Sequence, residues 1–472
     1  MPLAPRICRR GLALAAAAIS FIGVAAAEPS PLRVGGNGHT LEPQSGTPFF
    51  WLADTGWYFL WRLDEVEAHD YMRIRKDQGF TVIQAMLVPG QALRQPARSG
   101  EPAFLKVTPA ELAPNPAYFD HVARVLRRAG ELGLYVMLLP ASKSYLRGRD
   151  NASAPALNSE NARRYGEFLG RRFAAFPHIV WCLGGDVSPA DDAEMRVVRA
   201  LAEGLKAGGA DQLMTYHPRG TESSAAYFHD DDWLDFNLCQ SAHRADASIA
   251  ELVGGTRRRI PAKPVIDGEC LYENIPCPLW RSNASTPKST AYEVRRALYR
   301  GVFVGGCGAT YGANSVFQFH RAEEPASYHS TIPWREGLFL PAARQVRHLR
   351  ELMMSRNGGG RVPAPELLAS APGQGIDLTL ALIGVDRSFG LIHSGGGRPF
   401  TVDFTKLIGT TIRATWFDPR TGETIGAGEY ARKGLQTFTP PVEGEPEDWV
   451  LILDDAAHAY PAPGRLQEIA EP

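Results

Sequence analysis

The sequence predicts an α/β protein, a (β/α)8 TIM barrel followed by a C-terminal antiparallel β-sandwich. Three observations carry this. Eight short apolar, β-branched runs alternate with amphipathic segments up to residue 311. No glycine-rich phosphate turn follows the first run, which argues against the doubly wound dinucleotide fold. Beyond the glycine- and proline-rich stretch Ser355–Pro365 the apolar period changes from helical to two.

Residues 1–27 read as a signal peptide. Arg6, Arg9 and Arg10 form a basic start, Gly11 to Val24 an apolar stretch too short to span a membrane, and Ala25-Ala26-Ala27 a cleavage site. The mature protein is therefore expected to be exported, to the periplasm or beyond the cell, with Arg9-Arg10 leaving a twin-arginine route open. Pro31 to Thr47 read as a lead-in hairpin. The barrel, expected over 28–354, takes its strands from Phe49–Ala53, Val82–Leu87, Tyr135–Leu139, Ile179–Leu183, Leu213–Tyr216, Asp235–Cys239, Pro264–Asp267 and Gly308–Tyr311. Helical patterns lie between them at Asp64–Gln78, Asp120–Leu132, Asn161–Phe176, Asp191–Ala207 and Thr290–Val304. A linker over 355–366 leads to a sandwich over 367–456, with strands at Leu378–Ile383, Phe389–His393, Thr411–Trp416 and Trp449–Leu453, and a tail over 457–472.

Composition narrows the partners. Of 472 residues, 50 are basic and 51 acidic, a balance that argues against nucleic acid or an anionic membrane surface. Nine Trp and fifteen Tyr provide rings on which the C–H faces of sugars stack, although most such rings pack cores. The five cysteines beyond the leader are odd in number, and three lie in apolar runs where buried thiols are common; Cys270 and Cys277 are spaced to close a short loop. No spacing reads as a zinc site and no metal or cofactor is expected; the Asp230-Asp231-Asp232 run reads as a solvated turn before Trp233, with an oxygen-rich calcium site as its alternative.

In this barrel the active site lies at the C-terminal ends of the strands. Those ends carry Asp54 and Trp57, Gln84, Lys143 and Tyr145, Asp186, His217 and Arg219, Gln240 to His243, Glu269, and Tyr311 with Asn314. Such a ring of hydrogen-bonding groups suits a polyhydroxylated ligand. Two acids stand out. Ile179-Val180-Trp181-Cys182-Leu183-Gly184-Gly185-Asp186 reads as a buried strand delivering one carboxylate through a flexible glycine pair, and Pro264-Val265-Ile266-Asp267-Gly268-Glu269 repeats the grammar. Counted along the chain they end strands four and seven, as in barrel glycosidases that retain anomeric configuration. That reading makes Asp186 the acid/base and Glu269 the nucleophile, with carboxyls about 5–5.5 Å apart. Asp54, Trp57, Gln84, His217, Arg219, Gln240, Tyr311 and Asn314 are the candidate substrate-binding residues, with Tyr311 also placed to donate to the nucleophile. Asp267 is expected to be structural.

The sequence resembles the apiosidase-like glycoside hydrolases, whose barrel precedes a small sandwich of the collagen-binding type. The resemblance rests on Phe50-Trp51-Leu52-Ala53-Asp54-Thr55-Gly56-Trp57, Leu183-Gly184-Gly185-Asp186, His217-Pro218-Arg219-Gly220, Gln240-Ser241, Asp267-Gly268-Glu269 and Thr310-Tyr311-Gly312. It implies an exo-glycosidase that releases a terminal sugar, apiose or similar, from plant pectic side chains, with Asp186 and Glu269 as the catalytic pair. The chain departs from the family at Ala242, where glycine is usual, and at Ala309 and Ala313, where relatives carry His or a longer polar residue. These changes bear on which sugar is recognised. A non-catalytic carbohydrate- or matrix-binding protein is the alternative reading, and a polysaccharide lyase using Lys143, Tyr145 or Arg219 a third.

Overall fold

The structure is a computed structural model that describes residues 29–462, apart from 48, 94, 149–154, 245–247, 326, 357–359, 442–446 and 459. The expected signal peptide and most of the tail lie outside the described residues. All eight expected barrel strands form: β1 (Trp51–Thr55), β2 (Val82–Met86), β3 (Tyr135–Leu139), β4 (Ile179–Cys182), β5 (Met214–Thr215), β6 (Asn237–Gln240), β7 (Val265–Asp267) and β8 (Gly308–Tyr311). They pair in parallel in the order β6-β7-β8-β1-β2-β3-β4-β5, with a short antiparallel strand, Glu222–Ser223, on the outer side of β6. The seam between β5 and β6 carries no ladder. It is bridged by the Asp235 N–H donating to the Met214 carbonyl (2.9 Å) and by Thr215 Oγ1 donating to the Phe236 carbonyl (2.7 Å).

Around the strands run α1 (Glu65–Asp77), α2 (Pro116–Glu131), α3 (Ser159–Phe173), α4 (Asp192–Ala207), α5 (Ile249–Arg257), α6 (Ala291–Phe303) and α7 (Pro341–Met354). Their starts follow from local chemistry. Asp64 with Glu67, and Thr290 with Glu293, form reciprocal caps at α1 and α6. The second helix begins earlier than its apolar pattern suggests, because Asn115 caps it and Pro116 pre-sets the first turn. Among the described residues no helix is long and apolar enough to cross a membrane.

The expected linker is shorter than 355–366. Ser355 ends α7, and Arg361–Pro363 is already the first strand of the C-terminal domain, β9. It is followed by β10 (Thr379–Gly384), β11 (Phe389–Ser394), β12 (Phe400–Asp403), β13 (Thr411–Phe417), β14 (Thr424–Ala431), β15 (Leu435–Phe438) and β16 (Trp449–Asp455). Six of these form an antiparallel sheet, β9-β10-β11-β16-β13-β14, and β12 pairs with β15 in a second. Period two explains how one sheet serves two interfaces. Leu382, Leu391, Val450 and Ile452 join the barrel core, whereas their neighbours Ala381, Ile383, Ile392, Leu451 and Leu453 pack inside the sandwich with Phe400, Val402 and Phe438.

The two domains are also tied by buried charges. Asp448, fully buried, accepts from Arg295 Nη2 (2.5 Å) and Nε (2.9 Å) on α6 and lies 3.2 Å from His393 Nε2. Arg356 makes a two-pronged pair with Asp454 (3.1 and 2.7 Å). Burial alone would raise the Asp448 pKa, but the Arg295 charge and His393 hold it at about 2. The folded value lies below the ordinary carboxylate pKa near 4, so this stabilisation is complete above about pH 4 and lost as pH falls towards about 2. Asp448→Ala, which leaves the buried Arg295 with only Glu447 (3.0 Å) and Gln345 (2.6 Å), is expected to lower stability by about 3 kcal/mol. Denaturant unfolding should show one transition, shifted as a whole; an unchanged midpoint would make the ion pair dispensable to the assembly.

Candidate active site

Both acids reach the C-terminal mouth of the barrel on short extensions of their strands. After β4, Leu183-Gly184-Gly185 carries the chain to Asp186. A side chain at Gly184 would sit 2.5 Å from the Tyr216 ring and 2.8 Å from the His217 carbonyl oxygen, so only glycine lets these strand ends approach. Asp186 itself adopts a left-handed backbone (φ 51°), a conformation that costs a non-glycine residue on the order of 1 kcal/mol and clusters at functional sites. Its side chain opens to solvent at the mouth, while Glu269, two residues past β7, is buried.

Glu269 is gripped from both sides. One carboxylate oxygen lies 3.1 Å from His217 Nε2 and the other 3.3 Å from His243 Nε2. The far nitrogen of each ring is fixed by backbone: His217 Nδ1 lies 2.9 Å from the Pro218 carbonyl and His243 Nδ1 lies 3.0 Å from the Cys270 carbonyl. The Asp186 N–H reaches His217 Nδ1 only at 3.4 Å, so the shorter carbonyl contact makes that nitrogen a donor. Fully buried His217 then faces an acceptor at each nitrogen, the arrangement of an imidazolium. Burial opposes that charge, but the hydrogen bond to Glu269 and the Glu269 charge raise its pKa. In turn, burial would raise the Glu269 pKa, and the bonds and charges of His217 and His243 push it far below the usual range. Asp186 goes the other way. Desolvation in the cleft, then the charge of Glu269, raises its pKa, against smaller opposing contributions from His217, the Gln240 amide and His243.

The two carboxyls are thus biased in opposite directions, Glu269 towards the ionised form and Asp186 towards the protonated one. Opposite biases of this kind are what a general acid and a nucleophile require. Below them, Trp57 Nε1 donates to the Tyr272 hydroxyl (2.9 Å), and the Trp57 ring meets the edge of His217 (5.4 Å). Tyr272 is the tyrosine that faces Glu269, whose charge, after burial, raises its pKa well above the usual range. Its ring lies over the Gly312 backbone, where a side chain would come within 2.3 Å of Tyr272 Cδ1. Ala242, at the position where the family carries glycine, has φ 68°, the left-handed region that favours glycine.

Several candidate residues serve other ends. Tyr311 does not donate to Glu269; its hydroxyl donates to Glu273 (2.7 Å). Asp54 is buried and accepts from the Tyr71 hydroxyl (2.5 Å) and from Arg75 Nε (2.8 Å), so it does not floor a sugar pocket. Asp54 and Tyr311 are register partners on β1 and β8. Both therefore point the same way, outward into the helix layer, where Arg75 lies over the Tyr311 ring. Gln84 points inward but is sealed, its amide donating to the Gly268 carbonyl (2.9 Å) beneath the site. Arg219 is exposed on the rim and paired with Glu222 (2.6 Å). Asn314 is buried and donates to the Asn274 and Tyr328 carbonyls (3.1 and 2.9 Å). Tyr145 is buried with its hydroxyl on the Val88 carbonyl (3.1 Å), which removes it as a lyase base. Cys270 and Cys277 do not close the loop their spacing suggests: their thiols meet different carbonyls, Thr310 (3.2 Å) and His243 (3.6 Å).

Comparison with known families decides the class. The apiosidase-like catalytic domain matches residues 36–358. The chain belongs to the apiosidase-like glycoside hydrolases. Residues 362–454 match the domain described as "Putative collagen-binding domain of a collagenase". Among solved structures, a glycoside hydrolase superposes with TM-score 0.83 at 31% identity, over 91% of this chain and 98% of its own. A family 5 glycoside hydrolase from Bacteroides vulgatus superposes with TM-score 0.83 at 29% identity, over 93% and 95%. No curated protein matches the sequence. The apiosidase-like enzyme is a glycosidase, and the non-catalytic reading falls away.

Proposed function

We propose that this glycosidase works by double displacement with retention, releasing a terminal sugar, apiose or a close relative, from pectic side chains. The observation that carries the proposal is the opposite electrostatic bias of Glu269 and Asp186. Clamped between two imidazoles, Glu269 is ionised across the neutral range and attacks the anomeric carbon. Asp186 delivers its proton to the departing oxygen, then, as a carboxylate, takes a proton from the water that breaks the glycosyl-enzyme. Trp57 and Tyr272 complete the wall on the nucleophile's side. The leader at residues 1–27 supports export to the compartment where such polysaccharide fragments are met.

The test is to incubate the enzyme with pectin oligosaccharides and follow the first-formed anomer by proton NMR. The expected product is a monosaccharide that appears with the configuration of the bond cleaved and only later mutarotates. Inverted product would place the carboxyls in the wider arrangement of about 6.5–9.5 Å and make Glu269 a general base. Release of internal fragments instead of monosaccharide would remove the exo reading.

A further inference from the structure

The aromatic side chains near the acids form a continuous path from the nucleophile's clamp to the open mouth. His243 packs on Tyr272 (ring centroids 4.3 Å), Tyr272 on Phe317 (5.5 Å), and Phe317 on Tyr328 (5.6 Å). The first three rings are buried, but Tyr328 keeps 49% of its surface exposed. Half-buried Tyr58 meets Phe317 from another side (6.4 Å), with its hydroxyl accepting from the Gln91 amide (3.2 Å). Partial burial, then the charges of Asp186 and Glu269, raise the Tyr328 pKa.

Tyr328 is also held there against its backbone preference. It and His329 lie in the left-handed region (φ 52° and 54°), an unfavourable pair for residues with side chains. Two buried amides hold the turn. Asn314 Nδ2 donates to the Tyr328 carbonyl (2.9 Å), and Gln318 Nε2 donates to the Ser327 carbonyl (3.1 Å) and to Asn314 Oδ1 (3.1 Å). A buried polar pair thus fixes a strained turn whose product is one exposed aromatic ring at the open end of the path that begins at His243, the partner of Glu269. Simple packing would be satisfied by a relaxed turn and a covered ring.

We infer that Tyr328 is the stacking platform for the first sugar of the leaving group, meeting the apolar C–H face of that ring on the solvent side of Asp186. The assignment rests on the proposed glycosidase reading, in which Asp186 serves the departing oxygen. It gives Asn314 a positioning role, through the Tyr328 carbonyl, in place of direct substrate contact. A ring that stacks only on the leaving sugar lowers the barrel's barrier for oligosaccharides and does nothing for a leaving group too small to stack.

The test compares Tyr328→Ala, Tyr328→Phe and wild type on pectin oligosaccharides and on the glycosyl fluoride of the released sugar. Tyr328→Ala is expected to lower kcat/KM for the oligosaccharides about tenfold or more. It should leave the fluoride within about twofold, and Tyr328→Phe should retain most activity on both. An equal fall on both substrates, or none on either, overturns the proposal. A second arm needs no turnover: saturation-transfer NMR with the same oligosaccharide mixture on Glu269→Gln protein, with and without Tyr328→Ala. Loss of transfer to sugar ring protons in the double variant supports the platform, and undiminished transfer overturns it. If wild type cleaves no oligosaccharide yet Glu269→Gln shows transfer that depends on Tyr328, the proposed function fails, and Tyr328 stands as a sugar-stacking ring while its assignment to the leaving group is overturned. Absence of any transfer with Tyr328 present overturns both.

Discussion

Glu269→Ala is expected to abolish turnover of every glycoside the enzyme cleaves, whatever the leaving group, by on the order of 10^5-fold in kcat. The nucleophile is the one group that forms the covalent intermediate, so no choice of leaving group bypasses its loss. The geometry gives no substitute. The groups flanking the vacated position are His217 and His243, whose other nitrogens are committed to the Pro218 and Cys270 carbonyls, and the Tyr272 hydroxyl, which accepts the Trp57 N–H and whose pKa burial raises well above the usual range. Glu269→Gln is the companion variant, since the amide keeps the volume and separates loss of chemistry from loss of fold. The measurement is kcat/KM on an oligosaccharide and on an activated aryl glycoside, with thermal unfolding as control. Substantial residual turnover of the aryl glycoside by a folded Glu269→Ala protein would show that another group attacks. Azide-dependent rescue with retained product would exchange the roles of the two acids.

How much of this was legible in the sequence depends on what decides each feature. Strand positions were, because buried parallel strands are continuous apolar runs and eight of them recur between amphipathic segments. The two acids were too, since each follows such a run by a short glycine-containing step. The direction in which a strand-end side chain points was harder to read. Asp54 and Tyr311 sit at strand ends as expected, yet as register partners both face the helix layer, and one residue of parity separates them from the inward-facing Thr55 and Gln84. Tyr272 was missed because it stands on a loop three residues past Glu269, and loop residues have no period to read. Its signal lay in Gly312, which must lack a side chain for the Tyr272 ring to fit. Tyr328 left no pattern at all. Its placement depends on Asn314 and Gln318 amides reaching a turn about a dozen residues away, a contact that exists only after folding. The shortened linker follows the same logic: Arg361–Pro363 is a strand because β10 offers it a ladder.

Asp186→Ala should fail differently, and the difference identifies the acid/base. For oligosaccharides, whose leaving oxygen needs a proton, kcat/KM is expected to fall by about 10^2–10^4-fold. For an aryl glycoside whose phenolate departs unaided, glycosyl-enzyme formation should lose less than about tenfold. The intermediate then persists, because no carboxylate remains to deprotonate water. Azide needs no deprotonation, so adding it should restore turnover and yield a glycosyl azide of retained configuration. The pH profile carries a second signature. On the proposed roles, the wild-type chemistry needs Asp186 protonated and Glu269 ionised. The acid limb therefore follows Glu269, displaced far downward by its two imidazoles, and the basic limb follows Asp186, displaced upward by desolvation and by Glu269. Activity should fall as pH rises through the Asp186 pKa, and that limb should vanish in Asp186→Ala acting on the aryl substrate. The same reasoning separates Asp186 from His217, whose raised pKa also gives a basic limb when Glu269 loses its positively charged partner. Persistence of the limb in Asp186→Ala would move it to His217, whereas its loss together with azide rescue leaves Asp186 as the proton donor. Asp186→Asn separates the two further, since it keeps the shape of the left-handed turn, which asparagine tolerates, while removing the proton.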